Sequence, residues 1–199
     1  MSFEIEIKAH VYNRNFVIEK LNSIAEYLGH TEKKDLYYHF PKEDAEKKYV
    51  PVRIRNQIER SANNNAAEKK ECYFTYKKKE LKICADNSKI EVNVENETLV
   101  ENADALEQFF MDVGGKLAYT KEKIVEHWIY KSDGEELHVE LCTVPPLGDF
   151  LEIEVIKENE NEAEITKIKF LEQQLLTECN IPLSQIENRY YSEMLAVLN

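Results

Sequence analysis

The sequence predicts an α+β fold in which a closed eight-stranded antiparallel β-barrel, or tunnel, carries helices packed outside it. Three observations support this prediction. Eight segments alternate apolar and polar residues as strands do, and short links such as Asp133-Gly134 join most of them as hairpins. On most of these segments the residues that oppose the apolar side chains are charged. Because helices must pack on the apolar faces, closure would turn the charged faces inward. An open α+β sheet is the alternative.

The bulk properties favour one domain over residues 1–199, with C-terminal helices from about 161 to 199. The length of 199 residues and a hydrophobic content of 43% suit a single core. A net charge of −12 disfavours a general nucleic-acid or anionic-membrane binder. The four cysteines are scattered, without a C-x-x-C pair, a secretory leader or a long apolar run. We therefore expect reduced thiols, a cytoplasmic location and no membrane span.

The first part of the chain is predicted as one strand, one helix and three more strands. Strict alternation marks residues 2–11 as a strand, and helical spacing marks a helix near 14–28. Asn13 or Asn15 would cap this helix and Gly29 would end it. The next strands are 34–40, 50–58 and 72–79, with a polar, Asn-rich hairpin tip between the last two.

The second part repeats the order strand, helix, strand, strand. A strand over 89–96 precedes a helix over about 101–113 that stops at Gly114-Gly115. The later strands are 117–130, 137–144 and 150–156. A helical pattern starts near 161, Pro182 breaks it, and a last helix is predicted over 184–197. This weak internal repeat agrees with a sheet that closes on itself.

The polar positions of the strands are selective in residue type. In the stretch FEIEIK, Phe3, Ile5 and Ile7 alternate with two glutamates and a lysine. Most of the later strands show the same arrangement, with charge opposite the apolar side. The charged positions are Glu4, Glu6, Lys8, Arg53, Arg55, Lys77, Lys79, Glu91, Glu95, Glu140, Glu152 and Glu154, and His138 shares this pattern. A solvated outer face is the alternative interpretation of any single strand.

The charges inside such a barrel would need counter-ions. Two carboxylates about 7 Å apart on one strand face repel by about 2.5 kcal/mol at an effective dielectric constant of 20. Divalent cations relieve this repulsion, and glutamate oxygens suit Mg²⁺ or Mn²⁺. The arginines and lysines need anions in return, and arginine suits bidentate contact with phosphate. The pattern therefore indicates a site for a metal-bound polyphosphate.

These motifs together resemble the CYTH superfamily, the triphosphate tunnel metalloenzymes. The likeness rests on the N-terminal E-x-E-x-K strand, the later R-x-R, the E-x-N-x-E strand and the final GDFLEIE, and it covers nearly the whole chain. The stretch NADALEQFFMDVGGKLAYTKEKI followed by GDFLEIE is most similar to the class IV adenylyl cyclase-like branch, which is related to thiamine triphosphatases.

The resemblance implies roles for individual residues. Metal ligands would be Glu4, Glu6, Glu140, Glu152 and Glu154. Phosphate-binding and catalytic cations would be Lys8, Arg53, Arg55 and Lys77, with Lys79 in place of Lys77 if the strand register slips. Relatives commonly carry an arginine where this chain has His127, and Lys121 and Lys123 share its face as substitutes. Arg189 resembles a basic residue on the closing helix, and the tunnel-lining set is Glu91, Glu95, His127 and His138.

The implied activity is metal-assisted phosphoryl transfer on a triphosphate. A class IV adenylyl cyclase-like enzyme would convert ATP to cyclic AMP and pyrophosphate. Hydrolysis of inorganic tripolyphosphate or thiamine triphosphate is the alternative, followed by a non-catalytic polyphosphate or nucleotide binder and a structural sheet domain with solvated charges. Mg²⁺ or Mn²⁺ would be the cofactor. A homodimer is the expectation by analogy, with no nucleic-acid or membrane partner.

Overall fold

The computed structural model of this protein describes residues 3–41, 49–62, 67–83, 89–158 and 161–198. Within these ranges, only the backbone is described for residues 3–4, 49–51, 77–83 and 89–95. Part of the predicted Asn-rich hairpin tip, residues 63–66, lies outside the described residues. The side chains with predicted roles that lie outside the description are Glu4, Lys77, Lys79, Glu91 and Glu95.

The described chain forms eight strands, four α-helices and one short 3-10 turn over Leu183–Gln185. The strands are β1 Phe3–Val11, β2 Glu26–Pro41, β3 Tyr49–Ser61, β4 Lys69–Ile83, β5 Lys89–Val100, β6 Lys116–Ser132, β7 Glu135–Val144 and β8 Gly148–Lys157. The helices are α1 Arg14–Ile24, α2 Asp104–Asp112, α3 Glu162–Glu178 and α4 Tyr191–Ala196. Within the described ranges, no helix is both long enough and apolar enough to cross a membrane.

The eight strands hydrogen-bond in the order β1-β8-β7-β6-β2-β3-β4-β5. The pairs β1–β8, β8–β7, β7–β6 and β4–β5 are antiparallel. This confirms the α+β class and the eight-stranded antiparallel sheet. In this order β1 and β5 stand at the two ends, so the hydrogen bonds of the described residues do not close the sheet. The closed barrel therefore stays a prediction.

The chain divides into two compact units, each with its own core. The first unit comprises Met1–Thr31, Glu59–Ala67 and Lys123–Asn199, and the second comprises Glu32–Ile58 and Glu68–Glu122. Strands β2, β3 and β6 each contribute residues to both units.

The core of the first unit lies between one face of strands β1, β8, β7 and β6 and the helices α1 and α3. Its buried side chains include Ile5, Val17, Leu21, Trp128, Val139, Leu141, Leu151, Ile153, Ile168 and Leu175. The Trp128 indole donates a hydrogen bond to Asn22 Oδ1 of α1 at 2.9 Å. Burying each large apolar side chain contributes about 1.5–3 kcal/mol, which fixes both helices on this face. The opposite face of the same strands carries the charged residues.

The core of the second unit forms around Phe110 of α2. Its ring centroid lies 5.3 Å from that of Tyr38, 5.1 Å from that of Phe40 and 5.8 Å from that of Phe74. The Tyr38 hydroxyl donates to Glu107 Oε2 of the same helix at 2.6 Å. Helix α2 thus packs on the apolar face of β2 and β4, and Asp35 of β2 and Thr75 of β4 lie on the other face.

The predicted end of the first helix is wrong. Asn13 caps α1 by accepting from the Phe16 amide, as expected, but α1 ends at Ile24 and β2 begins at Glu26. Gly29 lies inside β2 with a φ of +130°, and a Cβ there would lie 2.2 Å from the carbonyl oxygen of Arg60. Glycine is needed at this position because two backbones approach closely.

The predicted last helix over 184–197 is also wrong in its first part. Residues 186–190 are not helical, and only Tyr191–Ala196 form α4. The Glu187 amide donates to the carbonyl oxygen of Lys8 at 2.8 Å, and Ile186 forms a bridge with Ala9. This segment is extended because it pairs with β1. The Asp133-Gly134 turn is confirmed, since both residues have positive φ and Ser132 pairs with Glu135.

Candidate functional site

The charged face of the first unit is built from two rows of side chains that cross its strands. Antiparallel partners point to the same face of a sheet. One row therefore joins Lys8, Glu152, Glu140 and His127, which are successive register partners from β1 to β6. The next row joins Glu6 of β1, Glu154 of β8 and His138 of β7. The backbone pairing thus brings together several predicted site residues.

Lys123 of β6 supplies the cation at the centre of the first row. Its Nζ donates to Glu140 Oε2 at 2.7 Å and to Glu152 Oε2 at 2.5 Å, and the residue is only 8% exposed. Burial alone would lower the pKa of Lys123, but Cys142, Glu152 and Glu140 around it raise that pKa well above its ordinary value. Lys123 is therefore a charged ammonium held between two carboxylates.

The same carboxylates converge with a thiol. Glu140, Cys142 and Glu152 each offer one ligand atom, and these atoms lie within 4.8 Å of one another. The Cys142 Sγ lies 3.8 Å from Glu140 Oε2 and 3.7 Å from Glu152 Oε2. Carboxylate oxygens are the donors that Mg²⁺ and Mn²⁺ prefer, so this donor set fits a divalent cation.

A cavity of about 240 Å³ lies beside these rows. It is lined by the three histidines His30, His127 and His138 and by carboxylates that include Glu140 and Glu154. His127 Nε2 lies 2.7 Å from the Thr31 hydroxyl oxygen, and its Nδ1 lies 3.5 Å from Glu140 Oε1. His127 and His138, both predicted to line the site, are thus placed beside its carboxylates.

The C-terminal segment contacts Lys8, the lysine of the N-terminal E-x-E-x-K strand. Lys8 Nζ donates to the carbonyl oxygen of Arg189 at 2.6 Å and lies 4.4 Å from the centre of the Tyr191 ring. Burial is the main cause that lowers the pKa of Lys8, against the charges of Glu152 and Glu6. The Arg189 guanidinium, predicted to bind substrate, pairs with Glu187 Oε2 at 2.6 Å.

The charged face of the second unit is centred on a buried aspartate. Asp35 of β2 is fully buried, and its carboxylate accepts from Arg55 at 2.7 and 2.9 Å. Lys121 Nζ lies 3.2 Å from the same carboxylate. Burial would raise the pKa of Asp35, but the hydrogen bonds of Arg55 and the charge of Lys121 hold it well below its ordinary value. Close to Asp35 in the chain, the Tyr37 ring stacks on the Tyr119 ring, and the two ring centroids lie 4.4 Å apart.

Arg53 is oriented by a second set of acceptors in this unit. Its guanidinium donates to the Thr75 hydroxyl at 3.0 Å and to Glu97 Oε2 at 3.0 Å. Thr75 in turn donates to Glu97 Oε2 at 2.6 Å. Arg53 is 6% exposed, so these contacts fix a guanidinium that is largely removed from solvent. Such a preset fork is suited to an anion with several oxygens.

The register of β4 and β5 places the predicted lysines by backbone alone. Lys77 pairs with Glu95, and Lys79 pairs with Asn93. Lys77 and Lys79 follow Thr75 by two and four residues along β4. Glu91 pairs with Leu81 and alternates in step with Glu95.

Some residues of these clusters were not predicted as site residues from the sequence. They are Asp35, Thr75, Glu97, Cys142, Glu187 and Tyr191. Asp35 lies between Lys34 and Leu36 in a strand rich in aromatic residues, and Glu97 lies one residue beyond the predicted strand end. One signal was available for Asp35. Its place in the alternation puts it on the strand face opposite that of the buried Tyr38.

Comparison with known proteins identifies the family. The model of the CYTH domain matches residues 2–191. The chain belongs to the CYTH domain family. Members of this family are metal-dependent enzymes that act on triphosphates such as ATP. No curated protein matches the chain at a significant level.

Solved structures with the same CYTH-like fold come from several organisms. PH1819 from Pyrococcus horikoshii OT3 is 24% identical with a TM-score of 0.67, over 99% of this chain and 100% of that chain. PH1012 from the same organism is 26% identical with a TM-score of 0.61, over 96% and 98%. A "putative adenylate cyclase" from Vibrio parahaemolyticus is 15% identical with a TM-score of 0.64, over 98% of each chain. These likenesses support the fold.

Proposed function

We propose that this CYTH protein is a metal-dependent enzyme that converts ATP to cyclic AMP and pyrophosphate, as class IV adenylyl cyclases do. The convergence of the Glu140 and Glu152 carboxylates on the charged face of the first unit, opposite helices α1 and α3, carries the proposal. Family membership supports the triphosphate substrate class. The likeness of residues 102–124 and of GDFLEIE to the cyclase-like branch favours cyclisation over hydrolysis.

The glutamates of β1, β7 and β8 would hold the cation. Glu140 and Glu152 are the central pair, and Glu6 and Glu154 form the adjoining row, with Glu4 next along β1. A bound Mg²⁺ or Mn²⁺ would neutralise phosphate charge and polarise the reacting phosphorus centre. Carboxylates that lie close together repel each other, so a cation in this position also stabilises the fold locally.

The basic residues would bind the phosphate chain. Arg53 and Arg55 present guanidinium groups whose orientation is set by Glu97 and Asp35. Their preset geometry reduces the entropy lost when phosphate oxygens bind. Lys8 and Lys77 would add charge, with Lys79, Lys121, Lys123 and Arg189 as further substrate-binding candidates. These cations would stabilise the negative charge that develops on the leaving group.

In the proposed reaction, the ribose 3′ oxygen of ATP attacks the α-phosphorus. A new P–O bond forms as the bond between the α-phosphorus and the bridging oxygen breaks, and pyrophosphate leaves. The 3′-hydroxyl proton passes to a base. If water attacked the terminal phosphorus instead, the products would be orthophosphate and a diphosphate.

A product assay tests the proposal. The purified protein is incubated with Mg²⁺ or Mn²⁺ and with ATP, thiamine triphosphate or tripolyphosphate, and the products are separated by chromatography. We expect cyclic AMP and pyrophosphate from ATP. If orthophosphate is the only phosphate product, the protein is a hydrolase and not a cyclase. If none of the three substrates is turned over, the proposal that the protein is an enzyme is wrong.

Matched variants link the activity to the carboxylates. Glu140→Gln and Glu152→Gln should each lower the rate at least 100-fold, which is about 2.7 kcal/mol of transition-state stabilisation. Glu135→Gln is the control, because Glu135 lies on β7 too but pairs with Lys157 at 2.7 Å, outside the cluster. Full activity of both site variants would contradict the metal assignment.

A further inference from the structure

We propose that Lys123 is a built-in competitor of the metal: its ammonium occupies the carboxylate oxygens that a divalent cation would need, so metal binding must displace it. This inference rests on the proposed function, since it takes Glu140 and Glu152 as metal ligands. It goes beyond that function by giving Lys123 control over metal affinity, in addition to the contact with substrate proposed above.

The contacts of Lys123 carry the inference. One ammonium reaches Oε2 of Glu140 at 2.7 Å and Oε2 of Glu152 at 2.5 Å. These carboxylates, with Cys142, are also the group whose ligand atoms lie within 4.8 Å of one another. A cation that bridges the two glutamates therefore meets Lys123 at the same oxygens. Two positive charges cannot share these acceptors without strong repulsion, because the site is largely buried.

The surroundings of Lys123 explain why the ammonium stays charged and in place. Lys123 is 8% exposed and Glu152 is 9% exposed, so water screens the pair poorly. The Tyr191 ring centre lies 5.8 Å from Lys123 Nζ and adds an aromatic face on one side. Within this setting the ammonium offsets the repulsion between the two glutamates and keeps their oxygens converged. Lys123 thus prepares the donor geometry and at the same time weakens metal binding.

The consequence is an exchange of one cation for another. Displaced from the two oxygens, Lys123 has a free ammonium beside a newly bound divalent ion. Such an ammonium is placed to donate hydrogen bonds to an anionic oxygen of an incoming phosphate group. Metal binding would therefore make Lys123 available, which couples the two steps.

The test measures Mn²⁺ binding without any substrate. Free Mn²⁺ is followed by electron paramagnetic resonance during titration of the EDTA-treated, desalted full-length protein. We expect Lys123→Met, which removes the charge and keeps an unbranched side chain, to bind Mn²⁺ at least tenfold more tightly than wild type. Lys157→Met removes the partner of Glu135 and should leave the affinity unchanged. Equal or weaker Mn²⁺ binding by Lys123→Met would overturn the inference.

Two further measurements cover the remaining outcomes. If Lys123→Met is unfolded without metal, the inference requires Mn²⁺ to restore its circular dichroism spectrum, and failure to restore it overturns the inference. Lys123→Arg keeps the charge and should not tighten Mn²⁺ binding. The product assay separates this inference from the proposed function. An inactive protein with tighter Mn²⁺ binding in Lys123→Met contradicts only the function, and an active protein without that tightening contradicts only the inference.

Discussion

Glu172 of α3 should make the stability of the protein fall as the pH rises from acidic to weakly alkaline. Its side chain is 1% exposed, and its Oε1 has no hydrogen-bond partner among the described residues. It lies on the helix face that carries the buried Ile168 and Leu175. Burial raises the pKa of Glu172 from 4.5 to about 8, with a smaller opposing effect from Lys169.

The sign and the size of this change in the free energy of unfolding follow from proton binding by Glu172. Between pH 4.5 and pH 8 the folded state keeps the Glu172 proton that the unfolded state has lost, so stability falls with rising pH. The slope is about 1.4 kcal/mol per pH unit, and the limiting loss is about 5 kcal/mol. Local relaxation and water entry reduce this loss, so we expect Glu172→Gln to raise the free energy of unfolding by about 2–4 kcal/mol at pH 8. At pH 5 the same variant should change it little.

Urea denaturation at pH 5, 6.5 and 8, followed by circular dichroism, measures this effect. Glu164→Gln is the matched control, because Glu164 lies in the first turn of the same helix and is exposed. The control should show no gain that grows with pH. An equal effect of Glu172→Gln at pH 5 and pH 8 would refute the reasoning, since the charge would then not be responsible.

Three other substitutions, one of them with a matched control, test the two units. Asp35→Asn should destabilise the protein by about 3–5 kcal/mol in urea at neutral pH, because two buried cations lose their anion. The loss should shrink as the pH falls below the ordinary carboxyl pKa of 3.8, because the unfolded state then binds a proton that the folded state, with its lowered pKa, does not bind. An unchanged midpoint would contradict the ion cluster. Gly29→Ala should cost about 3 kcal/mol or more, since its Cβ would meet the Arg60 carbonyl oxygen. Gly134→Ala meets nothing within 4 Å and should cost less; the reverse order would refute the argument from close approach. Phe110→Ala should cost about 3–5 kcal/mol in thermal unfolding, and a loss below about 1 kcal/mol would mean that Phe110 does not anchor α2.

The strands were predictable because alternation is a local signal that each segment carries by itself. Each of the eight strands contains a segment that was predicted as a strand, although β2 begins at Glu26, where a helix was predicted. Lys8 and Glu152 lie opposite the strand face that packs on α1 and α3, as the alternation predicted. The end of α1 was not predictable, because Leu28 continues the helical spacing although it belongs to β2. The pairing of its backbone with the Ala62 amide at 2.9 Å decides the conformation, and this contact between distant residues leaves no local pattern.

The candidate site was predictable where charges recur and unpredictable where one residue acts alone. Glu140 and Glu152 belong to repeated charged positions, so their shared face followed from the alternation. The partner of Glu97 is Thr75, and only the register of β4 and β5 shows this. The extended segment at residues 186–190 likewise depends on pairing with β1, which the apolar spacing of that segment does not encode.

The pairing of Glu187 and Ile186 with β1 also bears on self-association. As the last strand in the hydrogen-bonded order, β1 would offer unpaired amides and carbonyls along one side, and such edges recruit strands of other molecules. The C-terminal segment covers this edge at Lys8 and Ala9. One stretch of chain therefore both contacts Lys8 and occupies backbone groups of β1 that another molecule's strand would need for pairing.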